Sequence, residues 1–148
     1  MKLLLAICLA LQFWAGAALA ESPLAGEIKN LEGEVQIVRD GATIPARSGQ
    51  DLHVSDIVVT GPGSTAGIML EDDTVLSLGP DSRLELKDFA FDPSNEIFGM
   101  ALRILKGSFA YMSGVIGKVA PEKVRVETPD AVISTYGTRF LVSVDGRK

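Results

Sequence analysis

The sequence predicts an all-β domain of antiparallel short strands and hairpins, in a two-layer sandwich or a twisted, solenoid-like arrangement. Apolar residues recur at every second position through most of the chain, which is the period of a half-buried strand. Gly, Pro and Asp clusters interrupt these runs at short intervals, giving roughly ten strands. The last strong stretch, residues 128–144, reads as two strands joined through Tyr136-Gly137. With that two-residue loop, Thr135 faces Thr138, Ile133 faces Phe140 and Ala131 faces Val142. One side of the hairpin is then almost wholly apolar and needs a partner layer. Turn chemistry pulls the other way. A type I turn with a glycine bulge suits Tyr136-Gly137 better and would pair Ile133 with Arg139. Burial selects the first register.

The start of the chain is expected to lie outside the folded domain. Lys2, the short apolar run from Leu3 to Phe13 and Ala18-Leu19-Ala20 read as a secretory signal peptide cut after Ala20. The apolar run is too short for a span of about 20 residues. Cleavage leaves 128 of the 148 residues, removes the only cysteine, Cys8, and takes the formal charge from −5 to −6. An exported chain without cysteine relies on its core rather than on disulfides. No dense basic patch is present, which argues against nucleic acid. No later apolar run reaches spanning length, so no membrane span is expected after cleavage.

Residues 21–32 are expected to be a lead-in, with 21–26 flexible. Residues 34–39 form the first strand, with Val35 and Ile37 on one face; Asp40-Gly41 is a turn and Ala42-Thr43-Ile44 a short return. Pro45 keeps that return off a central position, because it lacks an N–H for the ladder. Gly49-Gln50-Asp51 is a further turn. Residues 56–60 are a β-branched strand closed by Gly61-Pro62-Gly63-Ser64. Ala66, Ile68 and Leu70 then alternate, and Thr74, Leu76 and Leu78 follow the loop Glu71-Asp72-Asp73. A three-residue loop pairs Ile68 with Leu76 and Ala66 with Leu78, and burial selects it, with Asp73 in the left-handed region. Residues 60–78 and 128–142 share the plan Thr, turn, Ala-x-Ile, turn, Thr, which suggests a weak internal repeat of hairpins. Residues 83–87 alternate, 89–95 read as a loop, and 97–105 fit a strand better than a helix. Lys106-Gly107 looks like a hairpin return into Ser108-Phe109-Ala110-Tyr111-Met112. Ser113-Gly114 and Gly117-Lys118 punctuate, and 123–127 is another strand. The domain is thus expected over 33–144, with 145–148 as a tail.

Several of these residues form an ordered set: Thr60-Gly61-Pro62-Gly63-Ser64-Thr65-Ala66, Asp72-Asp73-Thr74, Lys106-Gly107-Ser108-Phe109, Val126-Glu127-Thr128-Pro129-x-Ala131 and Gly137-Thr138-x-Phe140. In this order and spacing they resemble the FecR-type domain of bacterial envelope proteins, over about Gly33 to Val144. Two departures stand out. The family usually shows Gly-x-Arg-Gly-Thr where Ser134-Thr135-Tyr136-Gly137-Thr138 stands here, and Asp-Gly where Asp72-Asp73 stands. Signalling members of the family span the inner membrane and carry a cytoplasmic segment that regulates a sigma factor. Neither part is visible here. The resemblance therefore implies a lone, periplasmic or secreted β-domain of the binding or scaffold sort.

No catalytic, cofactor or metal set is expected. Glu71-Asp72-Asp73 supplies few oxygens in the directions that Ca²⁺ needs and reads as a solvated turn. His53 has neither a second histidine nor a cysteine with which to hold zinc, and no nucleophile in reach by any known spacing. Tyr136 and Arg139, an aromatic beside a cation at the last loop, are the candidate recognition pair. Expected partners are another envelope protein or a cell-wall or surface polymer. A homo-oligomer joined through uncapped strand edges is the structural alternative, and a hydrolase using carboxylates such as Asp51, Asp56 and Glu85 is the third.

Overall fold

The computed structural model describes residues 22–134 and 137–145. The expected signal peptide, Tyr136 and the end of the tail lie outside them. The described chain forms twelve strands: β1 (Leu24–Glu32), β2 (Val35–Arg39), β3 (Ala42–Pro45), β4 (Asp51–His53), β5 (Ile57–Thr60), β6 (Thr65–Leu70), β7 (Val75–Leu78), β8 (Arg83–Asp92), β9 (Ile97–Met112), β10 (Val124–Glu127), β11 (Val132–Ser134) and β12 (Arg139–Val144). They make one curled sheet in the order β3-β2-β5-β8-β9-β7-β6-β1-β4, with β10 and β12 also on β9 and β11 on β10. The expectation of an all-β, mainly antiparallel fold is met; β9–β10 is the one parallel pairing among the described strands.

The sheet curls because successive strands are halves of longer, bent passes. β1 runs into β2 through Gly33-Glu34, β5 into β6 through 61–64, β7 into β8 through 79–82, and β9 bends within itself at Gly107. The four bends line up as a crease. On one side lies wing A: β4, β1, β6, β7, the C-terminal part of β9, and β12. On the other lies wing B: β3, β2, β5, β8, the N-terminal part of β9, β10 and β11. Ile28, Ile68 and Leu76 from wing A meet Ile37, Leu84 and Ile104 from wing B in one core. Each such side chain, fully buried, contributes roughly 1.5–3 kcal/mol.

The crease explains the small polar residues in that core. Where a strand turns a corner its ladder breaks, and a buried orphan N–H costs about 1–3 kcal/mol. Short hydroxyls fill the gap. Ser64 Oγ accepts Glu34 N–H at 2.9 Å, Thr60 Oγ1 accepts Ser82 N–H at 2.9 Å and donates to the Gly79 carbonyl at 2.7 Å, and Ser82 Oγ accepts Ser108 N–H at 3.0 Å. Thr60, Ser64 and Ser82 are all buried.

Several sequence expectations hold in detail. Asp40 and Gly41 both have positive φ, as a type I′ turn requires. Pro45 ends edge strand β3. Ala66 pairs with Leu78 and Ile68 with Leu76, and Asp73 has φ +66°.

Others are corrected. The expected hairpin of 128–144 does not form: among the described residues β11 pairs with β10, and β12 with β9. The turn after β10 closes early, with Thr128 N–H on the Ala131 carbonyl at 2.8 Å and Ala131 N–H on Thr128 Oγ1 at 3.0 Å. The apolar side of β12 finds aromatic partners instead, with Phe140 stacked on Tyr111 at 4.6 Å between ring centroids. The internal repeat falls with that hairpin. Lys106-Gly107 is no hairpin return, because β9 bends there and continues in the same direction. Residues 89–92 are the end of β8 rather than a loop; a bulge between Leu86 and Asp88 shifts the alternation there. The lead-in residues Leu24–Glu32 form β1, held between β6 and β4 with Ala25 and Ile28 buried. Asp51, expected in a turn, opens β4. Residues 115–119, which follow Ser113-Gly114 and include the expected break Gly117-Lys118, form a one-turn helix, α1 (Val115–Val119), too short for a 3.6-residue stripe to be readable.

Candidate functional site

Alternation puts every second residue of wing A on its outer face. Register then aligns them in two adjoining rows. Glu27, Met69, Val75, Met112 and Arg139 lie side by side across β1, β6, β7, β9 and β12. Beside them run Asn30, Gly67, Ser77, Ala110 and Leu141. The first row is apolar between an acidic and a basic end. Lys29 pairs with Glu27 at the acidic end. The second row is a shallow floor of small residues that stops at Leu141. Met112 is 43% exposed and Leu141 73%, while Met69 and Val75 are half-buried. Arg139, one of the two expected recognition residues, is exposed at the rim of this face. Its expected companion Tyr136 lies outside the described residues.

A second polar centre lies under the β6–β7 turn. Asp72 was expected in a solvated turn, yet it is fully buried. Its carboxylate accepts Thr74 N–H at 3.1 Å, Thr74 Oγ1–H at 2.8 Å and Ile116 N–H at 3.0 Å. Its carbonyl accepts Val115 N–H at 2.7 Å, and Thr74 Oγ1 accepts Gly114 N–H at 3.2 Å. Asp72 thus pins α1 to the hairpin turn. The burial arises because α1 lies over the turn, a long-range contact that three adjacent acids do not announce. Tyr111 Oη is buried beside this centre. The Ser113 and Thr74 hydroxyls stand near it, but it has no hydrogen-bond partner of good geometry among the described residues. Burial, chiefly, pushes its pKa above 10.0.

The carboxylates weighed for hydrolysis do not converge. Arg39 grips Asp56 with two bonds, Nε to Oδ1 at 2.9 Å and Nη2 to Oδ2 at 2.7 Å, and His53 joins only through its main-chain N–H, 2.8 Å from Asp56 Oδ2. Arg39 Nη2 also reaches the main-chain carbonyl of Asp51 at 3.1 Å, while Asp51 itself is exposed. Glu85 lies on wing B, 3.4 Å from Arg103 Nη1. The same arginine and Lys87 bind Glu127, at 2.9 and 3.0 Å, and their hydrogen bonds hold its carboxyl below the ordinary 4.5. Among the described residues no group of three or more His, Cys, Asp or Glu is placed to hold a metal ion. No described helix is long and apolar enough to cross a membrane.

The fold and its outer face define a small β-sheet module folded along a hydroxyl-lined crease. The family model described as FecR protein matches residues 56–148, more than half of the chain, and the chain belongs to that family. It is a family of periplasmic, signalling-related domains not known as enzymes. No curated protein and no solved structure gives a match. The sequence motifs that carry the resemblance now have places: Thr60–Ser64 and Gly107-Ser108 build the crease, Asp72-Asp73-Thr74 holds α1, and Thr128 closes the β10–β11 turn. They are scaffold positions. The outer rows were not legible beforehand, since their members alternate with core residues on five strands whose order the sequence did not give.

Proposed function

We propose that the protein is an exported, non-enzymatic binding or scaffold module of the bacterial cell envelope, and that the outer face of wing A is where its partner docks. The observation that carries this reading is the apolar row Met69-Val75-Met112 beside the floor of Gly67, Ser77 and Ala110. Apolar side chains massed on one exposed face mark contact sites. Arg139 supplies a cation at the rim, the arrangement common where a charged rim surrounds an apolar centre. The partner is another envelope protein or a cell-wall or surface polymer.

The test is capture from an envelope fraction on the immobilised chain. Recovery of a partner that Met112→Asp with Leu141→Asp abolishes, and that Arg125→Glu on wing B leaves untouched, is expected. Recovery of nothing above background, or of material indifferent to the wing A substitutions, contradicts the reading.

A further inference from the structure

The described sheet has four open edges, and three are blunted. β3 ends in Pro45, while β4 and β11 have three residues each. Short strands and proline are the usual protections against edge pairing. β12 has none of them. Its six residues stay in unbroken register with β9, from Arg139 opposite Met112 to Val144 opposite Gly107, without proline, lysine or bulge. Ser113 N–H bonds the Thr138 carbonyl at 2.8 Å, which sets the alternation. Phe140, Val142 and Val144 direct their main-chain groups to β9, and Arg139, Leu141 and Ser143 direct theirs to the free edge.

We infer that this edge joins two copies of the chain, β12 to β12, antiparallel about a two-fold axis at Val142. An isologous contact of this kind must be self-complementary. Core-facing residues must meet core-facing residues, so only every second register is allowed. About Val142, Phe140 meets Val144 of the other copy, Leu141 meets Ser143, and exposed Arg139 meets exposed Asp145 at both ends. Centring on Leu141 leaves Arg139 opposite Ser143 and loses both ion pairs. Centring on Ser143 sets Asp145 against Leu141. Charge complementarity therefore selects the Val142 axis. The contact is made in the plane of the sheet; it shares Arg139 and Leu141 with the docking face proposed above, whereas Met112, on β9, belongs to that face alone.

Sedimentation of the purified chain from about 1 to about 500 μM tests it. A reversible dimer is expected. Arg139→Asp and Asp145→Arg should each weaken it about tenfold, and the two together should restore it, because the ion pairs re-form with reversed sign. Leu141→Pro, which removes an outward N–H and the Leu141 side chain but no hydrogen bond to β9, should leave a folded monomer. Both charged residues are exposed, so the charge reversals keep the test valid if the proline variant fails to fold. Met112→Asp, on the docking face, should not change association. A monomer at every concentration, including one that binds some other strand, overturns the inference, as does a dimer indifferent to both charge reversals.

Discussion

Ser82 occupies the space that a side chain on Gly107 would need. A Cβ there would lie 2.5 Å from Ser82 Cα, and Gly107 has φ +85°. Ser82 Oγ meanwhile accepts the N–H of the next residue, Ser108, at 3.0 Å and stands 3.1 Å from its carbonyl. One glycine and one serine thus let β9 cross from wing B to wing A without breaking. The other passes bend beside them, bonded through Thr60 and Ser64.

Removal of the Asp72 carboxylate should loosen the hold on α1. Asp72→Ala strands the N–H groups of Thr74 and Ile116, and a loss of about 3 kcal/mol is expected in urea unfolding. The Ile116 amide should also exchange with solvent far faster. Asp72→Asn, which keeps one acceptor oxygen, should lose less. An unchanged midpoint in Asp72→Ala would remove the carboxylate from the account.

Tyr111 should respond in the opposite way. Its ring packs on Phe140, but its hydroxyl is buried without a well-formed bond. Tyr111→Phe should therefore lie within about 1 kcal/mol of the parent or be more stable. The folded-state pKa is raised, so the group's contribution is complete below about pH 10 and is lost as pH climbs toward the folded value. The parent should lose stability above that pH more steeply than Tyr111→Phe in an alkaline unfolding series.

Glu127 governs the acid side. Hydrogen bonds from Lys87 and Arg103 depress its folded-state pKa below 4.5, so its contribution is present above that value and is lost as pH falls through the folded one. Glu127→Gln should flatten the acid limb of stability against pH. Salt should shrink the difference, because this ion network lies at the surface. Parallel acid limbs for the two proteins would show that the network does not contribute.

The parts legible in the sequence were those governed by local burial. Ile68 faces Leu76 because a one-residue slip would turn the apolar residues of one strand outward, and Asp40-Gly41 announces its turn by residue type. Two things hid the rest. A bend that continues a strand and a turn that reverses it both use Gly, Ser and Pro, so Lys106-Gly107 looked like a hairpin. The apolar face of β12 was also read correctly without its partner: Phe140 was expected opposite Ile133, and it stacks on Tyr111 instead. Periodicity tells which residues go inside and not which strand they meet. Of the recognition pair, Arg139 lies on the rim of the candidate face.

The crease itself is tested most directly by two glycine substitutions compared in one urea series. Gly41 and Gly107 both have positive φ, but a Cβ on Gly41 has nothing within 4 Å whereas one on Gly107 runs into Ser82. Gly41→Ala should cost about 1–2 kcal/mol, the backbone term alone. Gly107→Ala should cost that and about 2 kcal/mol more, the overpacking term. Equal losses for the two would contradict a sheet folded over Ser82 and Gly107.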